Sequence, residues 1–148
     1  MSADDSFFVD TNVLLYSLTA SERVKRGTAE MWIVALWQRQ SGRISWQVIN
    51  EFYSAAVRKL DVPAREARAA VEDLLLWKPE PPMHATLLRA WHWCDAAKIN
   101  FWDALIVAAA EQSGSRWLLS EDFQTGRKFG EVTVVNPFLR PPADFDLT

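Results

Sequence analysis

The sequence has little cysteine and histidine, and it has no long apolar segment. Its one cysteine, Cys94, cannot form an internal disulfide, and the motif at 92–95 matches no closed zinc pattern. The longest unbroken apolar run, 104–110, is far too short to span a bilayer. The first residues are acidic where a signal peptide would be basic. We therefore expect a cytoplasmic protein that needs no disulfide and has no membrane segment.

Runs of basic residues are also missing, and the net charge is −3. Taken alone, this balance argues against a nucleic-acid ligand. The net charge misleads if several carboxylates share one metal site, because the charges on the remaining surface then add up to a mildly basic total. Net charge therefore excludes no partner.

What the chain does have is an ordinary globular composition, with 49% hydrophobic and 24% charged residues over 148 positions. That length predicts a single domain over 1–148. The eight tryptophans indicate either a large core or a surface covered by a partner. On the first long helix, Trp32, Leu36 and Trp37 could belong to either.

Short apolar runs alternate with segments of helical periodicity along the chain. The predicted strands are 7–9, 44–46, 117–120 and 132–135. The predicted helices are 22–40, 47–60, 63–77, 84–98 and 101–113. This alternation predicts an α/β fold, with a parallel sheet covered by helices on both faces. The proline-rich, acidic tail 141–148 is expected to be frayed.

Four carboxylates occupy positions that suggest chemistry, although each also has an ordinary structural explanation. Asp10 and Asp122 follow predicted strands, where open α/β folds bind ligands, but both also suit turns or caps. Asp103 begins an apolar helix, where it could simply complete a cap with Asn100. Glu51 borders an apolar stripe, where glutamates are usually solvated.

Taken together, the four carboxylates predict a metal site. Carboxylates brought close together repel one another, and burial raises their pKa values unless a cation neutralises them. Oxygen ligands without histidine or cysteine select Mg²⁺ or Mn²⁺ rather than zinc. Such sites usually act on phosphate esters.

Five segments in order along the chain resemble the PIN-domain ribonucleases, and among them the VapC-type toxins of bacterial toxin–antitoxin pairs. They are FVDTNVLLY at 8–16, NEF at 50–52, FWDALI at 101–106, LLSEDFQTG at 118–126 and VVNPF at 134–138. The resemblance implies a three-layer α/β/α sandwich with a central parallel sheet. It also implies an Mg²⁺- or Mn²⁺-dependent endoribonuclease, a homodimer, and inhibition by a cognate antitoxin.

Carried over by position, the resemblance assigns a role to six residues. The acidic quartet is Asp10, Glu51, Asp103 and Asp122. Asp10, Asp103 and Asp122 would hold the metal, while Glu51 would orient water or help hold a second ion. Asn12 would hold Asp10 in place, and Ser120 would supply a supporting hydroxyl. Glu121 is a competing acid, but the family spacing favours Asp122.

The basic side chains that could grip RNA are Arg23, Lys25, Arg26 and the pair 127–128. Solvated helix and loop charges explain the same residues without RNA. The sequence does not decide between these explanations.

Other functions stay open at this point. An RNA-processing nuclease without an antitoxin would have the same motifs. An aspartyl-phosphate phosphatase would need an acid two residues after Asp10, where Asn12 stands. A receiver domain would need a lysine at a later strand end, and the sequence offers none. A non-catalytic phosphate-binding domain is disfavoured by the complete quartet.

Overall fold

A computed structural model describes residues 5–147. Residues 1–4, which carry one of the two acids of the acidic start, and Thr148 lie outside the described residues. The central sheet has five strands in the order β2-β1-β3-β5-β4. They are β1 (Phe7–Val9), β2 (Gly42–Arg43), β3 (Trp117–Leu119), β4 (Lys128–Phe129) and β5 (Val132–Val135). Neighbours pair in parallel except for β4, which runs antiparallel to β5 at the edge.

Six α-helices connect the strands over the described range. They are α1 (Thr11–Tyr16), α2 (Arg23–Arg39), α3 (Trp46–Arg58), α4 (Ala64–Leu74), α5 (His84–Ala97) and α6 (Phe101–Gln112). Short 3₁₀ helices follow at Leu75–Trp77 and Pro142–Phe145. The α/β class and the mainly parallel sheet predicted from the sequence are confirmed, with β4 as an antiparallel addition. Across residues 5–147, no helix has both the length and the apolar character that crossing a membrane requires.

The second strand lies earlier than predicted. The sequence pattern placed it at 44–46, but β2 is Gly42–Arg43 and Trp46 already begins α3. The reason is the cap: the hydroxyl of Ser45 accepts a hydrogen bond from the Val48 amide at 3.3 Å. Gly42 is required at its position because a Cβ there would overlap the indole ring of Trp77.

The prediction of a frayed tail is wrong for residues 141–147. Phe145, only 3% exposed, packs edge-on against Phe7 and Trp117 with ring centroids 5.5 and 5.1 Å away. Leu147 is buried as well. Apolar side chains therefore anchor this segment in the core despite its prolines and acids.

The tryptophans of α2 belong mainly to the core. Trp32 and Leu36 are fully buried, and the Trp32 indole N–H donates to the carbonyl oxygens of Pro137 and Arg140, both at 3.1 Å. Trp37 is partly buried against the same core. The alternative that these residues form a docking surface is wrong for Trp32 and Leu36.

Candidate active site

The sheet topology brings two of the predicted acids to one edge. β1 and β3 are parallel neighbours, so Asp10 and the segment 120–122 follow strands that end side by side. The Asp10 amide donates to the Leu119 carbonyl oxygen at 3.0 Å, which continues the ladder past the strand end. Residues more than a hundred positions apart in sequence thereby meet.

Asp10 is held by two hydrogen bonds and is only 7% exposed. The Thr11 amide donates to Oδ1 and the buried Ser120 hydroxyl donates to Oδ2, both at 2.8 Å. The Ser120 oxygen also accepts from the Asp122 amide at 3.1 Å. Asp10 thus caps α1, as the structural alternative expected, and the Ser120 hydroxyl contacts it directly.

The environment of Asp10 disfavours its charge. The pKa of Asp10 is raised to about 7, mainly by burial and to a smaller extent by the negative charge of Asp122. The hydrogen bonds from Ser120 and Thr11 oppose this effect without cancelling it. A bound cation would reverse the balance and favour the ionised carboxylate.

Asp103 lies in the first turn of α6, three residues after the N-cap Asn100. Its amide donates to Asn100 Oδ1 at 2.9 Å, and Asn100 Nδ2 donates to Asp103 Oδ2 at 2.8 Å. Burial raises the pKa of Asp103, and the charges of Asp122 and Glu51 add to the increase. The capping explanation is therefore correct, and the negative charges of two other members of the quartet also act on the same carboxylate.

Glu51, on α3, is oriented from both sides although it is exposed. The Thr11 hydroxyl donates to Oε2 and Gln47 Nε2 donates to Oε1, both at 2.8 Å. Thr11 thereby contacts Glu51 through its side chain and Asp10 through its backbone. Sequence reasoning missed both Thr11 and Gln47. For Gln47 the available signal was its position one helical turn before Glu51 on α3.

All four predicted acids line one cavity of about 670 Å³. They reach it from four places: the end of β1, the middle of α3, the start of α6 and the turn after β3. Asn12 also lines this cavity, but over residues 5–147 the hydrogen bonds to the Asp10 side chain come from Thr11 and Ser120. The positioning contact expected of Asn12 is made by those residues instead.

Glu121 faces a different part of the molecule from Asp122. Tyr16 donates its hydroxyl to Glu121 Oε1 at 2.6 Å, and Lys25 forms an ion pair with Oε2 at 2.9 Å. Asp122 lines the cavity and Glu121 does not. Of these two neighbouring acids, it is Asp122 that shares the cavity with the other three predicted acids.

Comparison with known proteins now identifies the family. A model of the PIN-domain family matches residues 7–128, a range that contains all four acids. This chain belongs to the PIN-domain family. None of the curated proteins compared with it gives a match.

A solved structure with the same PIN fold is that of VapC20 from Mycobacterium tuberculosis, described as a sarcin–ricin loop cleaving toxin. The two chains are 22% identical and align with a TM-score of 0.60. The match covers 79% of this chain and 90% of the VapC20 chain. At that identity the comparison shows a shared fold, and it confirms the sandwich expected from the sequence.

The cationic side chains at the cavity of this PIN domain differ from those the sequence suggested. Arg58 and Lys59, at the end of α3, are exposed and line the cavity. By contrast, Lys25 is paired with Glu121, and Arg26 lies 3.2 Å from Glu30. The missed signal was spacing, because Arg58 lies seven residues after Glu51 and therefore on the same helix face.

The donor chemistry of the PIN cavity suits a hard divalent cation. Its acids offer carboxylate oxygens, and burial together with the charges of neighbouring acids raises the pKa values of Asp10 and Asp103, so a bound cation would favour their ionised forms. Within residues 5–147, no three histidine, cysteine or acidic side chains are close enough to form a metal site as they stand. The cation stays a prediction, supported by the type and charge of the donors.

Proposed function

We propose that this PIN domain is a metal-dependent endoribonuclease that hydrolyses RNA phosphodiester bonds and acts as the toxin of a toxin–antitoxin pair. The observation that carries the proposal is the meeting of four carboxylates from four elements at one cavity. A PIN fold shared with a toxin described as cleaving the sarcin–ricin loop supports RNA as the substrate.

We assign Asp10, Asp103 and Asp122 to holding Mg²⁺ or Mn²⁺. When bound, the cation would lower the pKa of a water molecule and stabilise negative charge on the leaving 3′ oxygen. Ser120 and the Thr11 amide keep the Asp10 carboxylate oriented.

Glu51 is assigned to the attacking water. Hydrogen bonds from Thr11 and Gln47 fix its carboxylate at the cavity, where it can orient a water molecule and accept its proton. Arg58 and Lys59 are placed to bind RNA phosphates at the end of α3.

Cleavage of end-labelled RNAs by the purified protein tests the proposal. We expect cutting with Mg²⁺ or Mn²⁺ and none with a chelator. Asp10→Asn and Asp122→Asn should each lower the rate on the order of 100-fold or more, because each removes a ligand charge from the site.

The matched controls are Asp73→Asn, an exposed acid on α4, and Glu121→Gln, the neighbouring acid that faces Lys25. Both should cut RNA at close to the parent rate. Full activity of Asp10→Asn, or equal losses in Asp122→Asn and Glu121→Gln, would contradict the assignment. The substrates should include single-stranded and structured RNAs, because a toxin can demand one particular structure.

The proposal extends to partners and location. A toxin of this kind acts in the cytoplasm, forms a homodimer and is inhibited by a cognate antitoxin. Exposed apolar side chains at Val24, Met31 and Val34 on α2 provide surface for protein contacts. The molar mass in solution tests the dimer, and inhibition by the product of a small adjacent gene tests the antitoxin.

A further inference from the structure

We infer that Trp102 is the stacking surface of a nucleobase subsite, where the acidic cavity meets a neighbouring apolar groove. The subsite would hold an unpaired base next to the scissile phosphate. This inference rests on the proposed function and adds a specificity-determining residue to it.

Trp102 is a large side chain held at the surface beside a candidate metal ligand. It precedes Asp103 in the first turn of α6 and is 64% exposed. The Asn100 cap fixes the start of this helix, and the Phe101 ring packs edge-on against the indole at 5.3 Å. The ring is therefore positioned before any ligand arrives, which lowers the entropic cost of stacking on it.

The groove next to the acidic cavity has a volume of about 720 Å³ and mainly apolar walls. Trp46, Pro81, Met83, Leu87, Phe101 and Leu105 contribute to them. Gln47, Asn50, Glu51 and Trp102 line both the groove and the cavity. A ligand can therefore extend from the charged cavity directly onto the apolar surface.

A nucleotide has the chemistry to occupy both the acidic cavity and the apolar groove. Its phosphate carries the charge that a metal-loaded carboxylate cavity would bind, and its base offers a flat aromatic face. The amide side chains of Gln47 and Asn50 can donate to, or accept from, the edge of that base.

The side chains along α3 indicate the path that an RNA strand would take across the groove and the cavity. Gln47, Glu51 and Arg58 lie on one face of the helix, in the order groove, acids, cations. Glu51 and Arg58 are about 10 Å apart along the helix axis at 1.5 Å per residue. The base on one side of the cut would then stack on Trp102, while a phosphate on the other side meets Arg58 and Lys59.

Binding of fluorescent 12-nucleotide RNAs tests the subsite in an Asp10→Asn background, where cleavage is stopped. The probes are oligouridine, oligoadenine and an abasic ribose-phosphate 12-mer, measured by anisotropy with Mg²⁺ present. Trp102→Ala should weaken binding of the base-containing RNAs about 5- to 100-fold, the range for loss of one stacked base. Trp102→Phe should keep most of the affinity, and binding of the abasic strand should not change.

The matched control is Trp91→Ala on α5, where a tryptophan is 49% exposed away from both spaces. Thermal unfolding of each variant confirms that it is folded. Equal affinities for Trp102→Ala and Trp91→Ala would overturn the subsite and leave the groove to a protein partner. An equal loss for the abasic strand would also overturn it. If the parent protein cuts and binds RNA but Trp102→Ala has no effect, only this inference is contradicted. If the parent protein neither cuts nor binds RNA, the proposed function is contradicted as well.

Discussion

At the scale of single residues, the Asp10 carboxylate is both a helix cap and a candidate metal ligand. It caps α1, yet it is buried beside other acids at the carboxyl end of β1. A capping carboxylate at the surface stabilises the fold at neutral pH because water solvates its charge. Asp10 is buried and lacks that hydration, so its ionised form is disfavoured. Without a cation, Asp10 avoids this cost by retaining a proton, whereas a bound cation would favour its ionised form.

The raised pKa of Asp10 predicts a specific dependence of stability on pH without metal. The folded protein retains a proton on Asp10 up to a pKa of about 7, while the unfolded chain releases it near the ordinary aspartate pKa of 3.8. The free energy of unfolding should therefore fall as pH rises through this window and level off above it. Asp10→Asn removes this contribution, because its amide does not ionise.

Urea unfolding in chelator at about pH 5 and about pH 8 measures this effect. Relative to the parent protein, Asp10→Asn should gain up to about 3 kcal/mol between the two conditions. Asp73→Asn, at an exposed acid, serves as the control and should follow the parent. A parent and an Asp10→Asn protein with parallel pH profiles would show that Asp10 titrates normally.

At the scale of secondary-structure elements, pattern predicted the long helices well and the short pieces poorly. α2 and α6 were predicted to within one residue at each end because each extends over more than three turns without an internal proline. β4 has two residues and β2 has two, so neither is long enough to show alternation. Their positions depend on pairing with β5 and β1, which is information from distant parts of the chain.

The candidate site was also predicted only in part, because its acids could be identified but not all of the contacts that orient them. The acids were visible because carboxylates beside apolar runs are unusual, and the family resemblance ordered them. The resemblance also gave Ser120 a supporting role, and its hydroxyl donates to Asp10 across 110 positions. The hydrogen bond from Thr11 to Glu51, across 40 positions, was not visible in the sequence. Composition also misled at the tail, where prolines and acids concealed the two apolar side chains that bind it to the core.

The C-terminal 3₁₀ helix should contribute strongly to stability. Phe145→Ala removes a ring buried against Phe7, Trp32 and Trp117, and should lower the free energy of unfolding by about 3–5 kcal/mol. Leu139→Ala is the control, because Leu139 is 69% exposed and should change stability by less than about 0.5 kcal/mol. Denaturant titration compares the two, and similar small losses would indicate that the segment is frayed after all.

At the scale of the whole molecule, four acids from distant parts of the chain meet at one cavity, where Asp10 is buried while Glu51 and Asp122 are exposed. They come from α3, from α6 and from the ends of β1 and β3, so their repulsion acts between several elements of the domain. Any cation that binds the folded cavity and not the unfolded chain should therefore stabilise the protein globally.

The melting temperature with Mn²⁺ or Mg²⁺, compared with chelator, tests this coupling. At a hundredfold excess over its dissociation constant, a cation adds about 2.7 kcal/mol to the free energy of unfolding. The parent protein and Asp73→Asn should melt higher with metal, while Asp103→Asn should respond less. An equal response in Asp103→Asn would place the bound metal elsewhere.

The pairing of β1 with β3, and the cover that Phe145 places on Phe7, also have a consequence during synthesis. Asp10 is made early, but Ser120 and Asp122 emerge from the ribosome more than a hundred residues later. The first strand has no neighbour on its β3 side until then, and Phe7 lacks its contact with the Phe145 ring until residue 145 appears. A nascent chain therefore cannot assemble the acidic cavity until the segment 120–122 has left the ribosome.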